Sequence, residues 1–173
     1  MRDLAEKWPP VPDWKNASIQ FHDTTIGTAA GLSQLLVSGD IDAWSQASGV
    51  AGSPAGASSI VTGDRYAVRL ARDRILAVSA APFGTAAGWH KEGFAVSTVD
   101  TGLHIFEIDG PWMPEILARA TTLDPNDNTA SAALFFAGVN AIVYRYGGTA
   151  CIRIHVDCGL APYLWQWLEQ VCS

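Results

Sequence analysis

Charge is scarce in this sequence. Asp, Glu, Lys and Arg make up 16% of its 173 residues, against roughly a quarter in an ordinary soluble domain. The basic sign is the scarcer one, with eleven Lys and Arg against seventeen Asp and Glu. Those eleven are scattered, so no basic stripe exists to neutralise a phosphate backbone, and nucleic acid is not an expected partner. Cysteine is nearly missing: three residues, an odd number, read as free thiols and not as a disulfide framework. Long hydrophobic runs are missing too. Residues 130–144 come nearest, but Gly138 and Asn140 interrupt them, and they fall short of the ~20 residues of a membrane-spanning helix. The opening MRDLAEKWPPVPDW carries acids and prolines where a signal peptide needs an apolar core. A cytoplasmic protein without a membrane span is therefore expected, in which the glycosylation pattern at Asn16-Ala17-Ser18 has no meaning.

Chemical signatures are absent as well. The chain contains no G-x-S-x-G elbow, no H-E-x-x-H, no C-x-x-C, no phosphate-binding P-loop and no dinucleotide fingerprint. Asp109-Gly110 forms a strand-to-helix turn of the kind that can cradle phosphate, but one glycine alone is a weak signal. His22, His90, His104 and His155 have no catalytic-type partner nearby in sequence, and Asp40, Asp42, Asp64 and Asp73 fall at turns, where Asp caps backbone groups. No catalytic, cofactor-binding or metal-binding residue is assigned.

What is abundant is apolar surface: 49% of the residues are hydrophobic and seven are tryptophan. The length fits one domain, residues 1–173, with a core of its own. Residues 1–20 form an extended arm whose Trp8 and Trp14 must lie against something. A strand or short helix is expected at 32–37. The small-residue stretch 47–59, ASGVAGSPAGASS, buries too little to order itself and is expected to be mobile. Segments 66–70 and 75–79 read as a hairpin turned at Arg72-Asp73.

From residue 94 onward the pattern sharpens. FAVSTVD and GLHIFEIDG read as strands, the second covered on both faces. A helix follows in which Trp112, Ile116, Leu117 and Ala120 share a side, with Pro111 as cap and Pro114 as third helical residue. Breakers at 138–140 and 147–148 then divide the chain into three strands of a meander. In the last, CIRIHVDC, Ile152, Ile154 and Val156 take one face and Cys151, Arg153, His155 and Asp157 the other. Four strand residues separate Cys151 from His155 by about 13 Å, whereas ligands of one zinc must bring their donors within about 4 Å. A polar face turned to solvent or to a partner is the expected reading. In the final helix Leu164, Leu168 and Val171 point inward with Trp165 and Trp167 on the flanks, an arc wider than one sheet covers. Either a second layer of this domain or another polypeptide is expected to touch those two indoles.

The run VSTVDTGLHIFEIDGPWMPEILARATTLDPND, followed by TASAALFFAGVNAIVYRYGGTACIRIHVDCGLAPYLWQWLEQV, resembles the gamma subunit of heterotetrameric sarcosine oxidases. The similar features are Val-Asp-Thr near Asp100, Asp-Gly-Pro at Asp109, Leu-Asp at Leu123 and Leu-Trp-x-Trp-Leu at Leu164. Residues 94–173 carry the likeness best. It implies an α+β fold of antiparallel sheets with packed helices, like the folate-binding domain of the glycine-cleavage aminomethyltransferase. It further implies a non-catalytic subunit packed against a large alpha subunit with NAD and a folate chamber, in a complex whose beta subunit carries FAD and FMN and whose delta subunit holds zinc. The alternative is a free-standing tetrahydrofolate-binding protein, for which Asp100 or Glu107 would have to pair with the pterin.

Overall fold

The structure, a computed structural model, describes residues 11–50, 52–122, 124 and 129–173. Trp8, and Leu123 with most of the turn cluster after it, lie outside the described residues. The elements in chain order are β1 (Ile19–Phe21), β2 (Thr24–Thr28), β3 (Ser33–Gly39), α1 (Ile41–Ser48), β4 (Ile60–Val61), β5 (Arg65–Ala71), β6 (Arg74–Ser79), β7 (Gly88–His90), β8 (Phe94–Thr98), β9 (Leu103–Asp109), α2 (Met113–Ala120), β10 (Ala133–Phe136), β11 (Val139–Tyr146), β12 (Cys151–Asp157) and α3 (Ala161–Val171). The α+β expectation holds.

Two sheets result. The first runs β1-β2-β9-β12-β11-β10, with β4 added in parallel to β11, and the second runs β5-β6-β3-β8-β7. Apart from β4, every strand pairing is antiparallel. Side chains alternate across each pleat, and this divides the interior into three zones. On the outer face of the first sheet, Phe106, Ile108, Val143, Ile152 and Ile154 pack under α2 and α3. On the outer face of the second, Leu35, Val37, Ile75 and Ala77 pack under Ile41 and Trp44 of α1. Between the sheets lie Tyr66, Val68, Leu76, Val78 and Tyr144. The layers are thus helices, sheet, sheet, helix.

Local chemistry accounts for the turns. Asp40 caps α1, its carboxylate accepting the Ala43 N–H at 2.9 Å, and Gly49 ends the helix in the left-handed region with its N–H on Ser45. This helix, with its apolar Ile41 and Trp44, is missing from the sequence reading, and Asp42 lies inside its first turn. The segment at 33–39 is a strand, and the 66–79 hairpin is present with its turn at Arg72-Asp73. In α2 the boundary differs: Trp112 is the cap, Pro114 is the second helical residue, and Met113 joins the buried face. Gly110 adopts φ +138°, and a Cβ there would lie 2.5 Å from Asp23 O and from Thr24 Cα. The glycine therefore serves close packing of β2 against the turn, where Thr24 Oγ1 accepts the Trp112 N–H at 2.8 Å.

One expectation is corrected. Within 47–59, Ala51 apart, which lies outside the described residues, the chain is tied to the fold: Ala47 and Ser48 finish α1, Ala57 is buried, and Ala55 exchanges backbone hydrogen bonds with Ala67 and Arg69 along the outer edge of β5. Small residues order here because the backbone itself pairs, not because their side chains bury area. The end of the arm enters the first sheet as β1, and Trp14 lies against the main core, as expected of an indole on this arm.

Candidate functional site

The polar face of β12 meets solvent only at its ends, with Asp157 exposed and Cys151 half-buried; its middle does not. It lies against the second sheet, with His155 fully buried and Arg153 9% exposed. Pairing places Arg153 between Tyr144 and Glu107, and His155 between Ile142 and Ile105. The facing strands supply Gln34 and Tyr66.

These side chains form one hydrogen-bonded seam. Arg153 Nε donates to Glu107 Oε2 at 2.8 Å, and its Nη1 donates to Tyr66 Oη at 2.9 Å. Tyr66 and Tyr144 hydroxyls are 2.8 Å apart, Tyr144 Oη is 2.7 Å from His155 Nε2, and His155 Nδ1 is 2.7 Å from Gln34 Oε1. Gln34 Nε2 donates in turn to the Leu103 carbonyl at 3.2 Å. Both ends fix the polarity, because a guanidinium only donates and a carbonyl only accepts. Tyr66 therefore donates to Tyr144, Tyr144 to His155 Nε2, and a neutral His155 donates from Nδ1 to Gln34.

Electrostatics agree with that assignment. Burial, reinforced by the Arg153 charge, pushes the His155 imidazole down to about 3. Burial also raises both tyrosine hydroxyls, Tyr144 the more strongly. Desolvation pulls Arg153 down, but its bonds to Glu107 and Tyr66 outweigh that and hold it firmly charged. Its guanidinium also covers the Tyr146 ring at 3.3 Å. From Tyr66 to His155 every member is shielded from water. Such a seam locks one sheet to the other, and its buried members, from Tyr66 to Gln34, face no solute.

Neither carboxylate considered for a pterin stands free. Glu107 is held by Arg153 beside a cleft of about 400 Å³ shared with Asp109 and Tyr146. Asp100 accepts the Gln34 backbone N–H at the other end of β9. A second cleft, of about 250 Å³, opens there. The cysteines do not combine: Cys151 and Cys158 flank opposite ends of β12, all three are free thiols, and burial raises each of them, Cys151 to about 12 with help from Glu107 and Asp109. Among the described residues, no three His, Cys, Asp or Glu side chains converge as metal ligands.

The tryptophans redistribute the apolar surface. Trp165 is 5% exposed, stacked on Phe106 and edge-on to Trp14, and Trp167 is half-buried against Phe136. Of the two alternatives, cover from this domain itself holds at Trp165, where the arm's Trp14 lies against it. Among the described residues the exposed indole is Trp89, 74% exposed on the edge strand β7, a three-residue strand too short to be singled out in the sequence. No helix among the described residues is long and apolar enough to cross a membrane.

No family model and no curated protein matches the chain. Solved structures do. A chain of the heterotetrameric sarcosine oxidase from Corynebacterium sp. U-96, in complex with pyrrole 2-carboxylate, superposes with a TM-score of 0.70 at 18% identity, over 86% of this chain and 83% of that one. The glycine cleavage system aminomethyltransferase T from Bartonella henselae gives 0.52 at 15% identity, over 86% of this chain but 45% of that one. The fold is therefore shared with both.

Proposed function

We propose that this chain is a non-catalytic structural subunit of a heteromeric flavin-dependent oxidase or demethylase of sarcosine type, packed against a large folate- and NAD-binding subunit. The flavins and zinc of such a complex would reside on other subunits. The observation that carries this reading is the fold shared with a chain of a heterotetrameric sarcosine oxidase, nearly end to end on both sides. The polar chemistry supports it: the ionisable groups buried between the sheets are bonded to one another. An exposed edge-strand indole is the kind of group that anchors protein interfaces.

The free-standing folate reading is weaker on this geometry. Both candidate carboxylates are already engaged within the chain, Glu107 by Arg153 and Asp100 by the Gln34 N–H. Titration with tetrahydrofolate should give no saturable binding. Co-expression with the neighbouring genes tests the subunit reading: the chain is expected to co-purify in fixed stoichiometry with a flavoprotein. Recovery of a flavoprotein that never retains it would overturn the reading.

A further inference from the structure

Of the rings that seat the arm, His104 alone can take up a proton. It lies 4.4 Å from the Trp14 ring and 4.5 Å from that of Phe106, tilted on each. Trp14 stands edge-on to Phe106 and to Trp165 of α3, at 5.8 and 5.9 Å. The Thr28 hydroxyl also donates to the Trp14 carbonyl. Within this packing His104 Nε2 is sealed from water and has no hydrogen-bond partner among the described residues. The charged and titratable groups nearby are otherwise placed. Lys15, Asp100 and Cys158 line the adjoining cleft of about 250 Å³, and Asp13 of the arm accepts from Asn16. Glu169 of α3 accepts the Trp165 Nε1–H at 2.8 Å, and β12 pairs Val156 beside His104.

We propose that the arm is a strap released by protons: uptake of a proton by His104 unseats Trp14 and lifts residues 11–18 off the first sheet. While the arm is seated, a proton added at Nε2 meets neither water nor an acceptor, and a desolvated cation is costly. Once the arm lifts, water reaches that nitrogen and the cost is gone. Protons therefore favour the lifted state, as any ligand favours the state that binds it better. Burial lowers the seated imidazole from its ordinary range, which has the same sign. The pairing of β1 with β2 from Ile19 onward anchors the far end of the strap. Release uncovers Trp165 and removes the Trp14 and Lys15 wall of the cleft. This inference does not rest on the assembly proposed above; either can fail while the other stands.

Two measurements on the full chain test it. The first follows the His104 ring through pH by NMR in the wild type and in Trp14→Ala, with the amide spectrum confirming folded sheets. The wild-type midpoint should lie below 6.5, and Trp14→Ala should return it to about 6.5, because seat and proton are reciprocally linked. The second is cleavage after Lys15 by a lysine-specific endoproteinase, normalised at each pH to a free peptide of residues 11–21, which reads the lifted fraction. That fraction should rise about threefold or more between pH 7 and 5.5. In His104→Phe, which keeps an aromatic ring and loses the proton, it should stay flat. If either variant perturbs the sheets, the wild type decides alone: the cleavage rise must share its midpoint with the His104 titration. A His104 midpoint that Trp14→Ala leaves unchanged, a flat wild-type cleavage profile, or an equal rise in His104→Phe would each overturn the proposal.

Discussion

Gln34 and His155, 121 positions apart, meet at 2.7 Å between the two sheets. The contact joins β3 of one sheet to β12 of the other and ends a chain of donors that begins at Arg153. Replacing Gln34 with Leu leaves the His155 Nδ1–H buried without an acceptor. A loss of about 1–3 kcal/mol is expected, the desolvation cost of one orphaned polar group. Tyr144→Phe should cost a similar amount, and the double variant less than the sum, because both break the same seam. Urea unfolding of the three variants measures this; strict additivity would show that the groups act independently.

The same histidine makes stability depend on pH. The unfolded chain protonates His155 near the ordinary 6.5, whereas the folded chain holds it neutral down to about 3. In that window the unfolded state binds more protons, so stability is full above it and falls as the pH drops through it. His104, also lowered by burial, contributes with the same sign. Roughly 2 kcal/mol should be lost through His155 between pH 6.5 and 5. In His155→Gln the starting stability is lower but the slope is shallower, leaving what His104 supplies. An unchanged slope would mean that His155 titrates normally in the folded chain.

Gly56 tests the order of the segment around it. A Cβ there would stand 1.9 Å from the Thr129 carbonyl oxygen, and backbone cannot swing aside as a long side chain can. Gly56→Ala should destabilise the chain by about 1–3 kcal/mol, as overpacking does. In a mobile loop the same change would stay within about 0.5 kcal/mol. Thermal unfolding distinguishes the two.

Trp89 separates folding from assembly. At 74% exposure it supports little of the fold, so Trp89→Ser should shift stability by no more than about 0.5 kcal/mol. As an interface anchor it is worth about 2 kcal/mol or more to a partner, roughly a thirtyfold change in Kd. Quantitative binding of wild-type and variant chains to the purified flavoprotein reads this directly; equal affinities would place the interface elsewhere.

Much of the architecture was legible because it is local. The 147–148 breakers, the alternation in CIRIHVDC and the helical spacing of Ile116, Leu117 and Ala120 each specify an element without reference to distant chain. The three-residue strands β1 and β7 carry too few residues to show a period. The seam escaped for a different reason. Cys, Arg, His and Asp on one strand face look solvated, and only Gln34 and Tyr66, both far upstream, turn the middle of that face, Arg153 and His155, into an interior. The hint present in the sequence was the hydrogen-bonding capacity of Tyr66 and Tyr144 beside the apolar Val68 and Ile142 on their own strand faces. The group that covers Trp165 was likewise not legible, since Trp14 lies 151 residues earlier on an arm with no period of its own.

Sedimentation velocity of this chain, alone and mixed with the flavoprotein subunit that the proposed assembly requires, addresses the subunit role most directly. Recorded at the flavin absorbance, the boundary should move faster once the chain is added, with the chain incorporated at a fixed ratio. Two boundaries that sediment independently at every ratio, the chain running as an 18.4 kDa monomer, would contradict it.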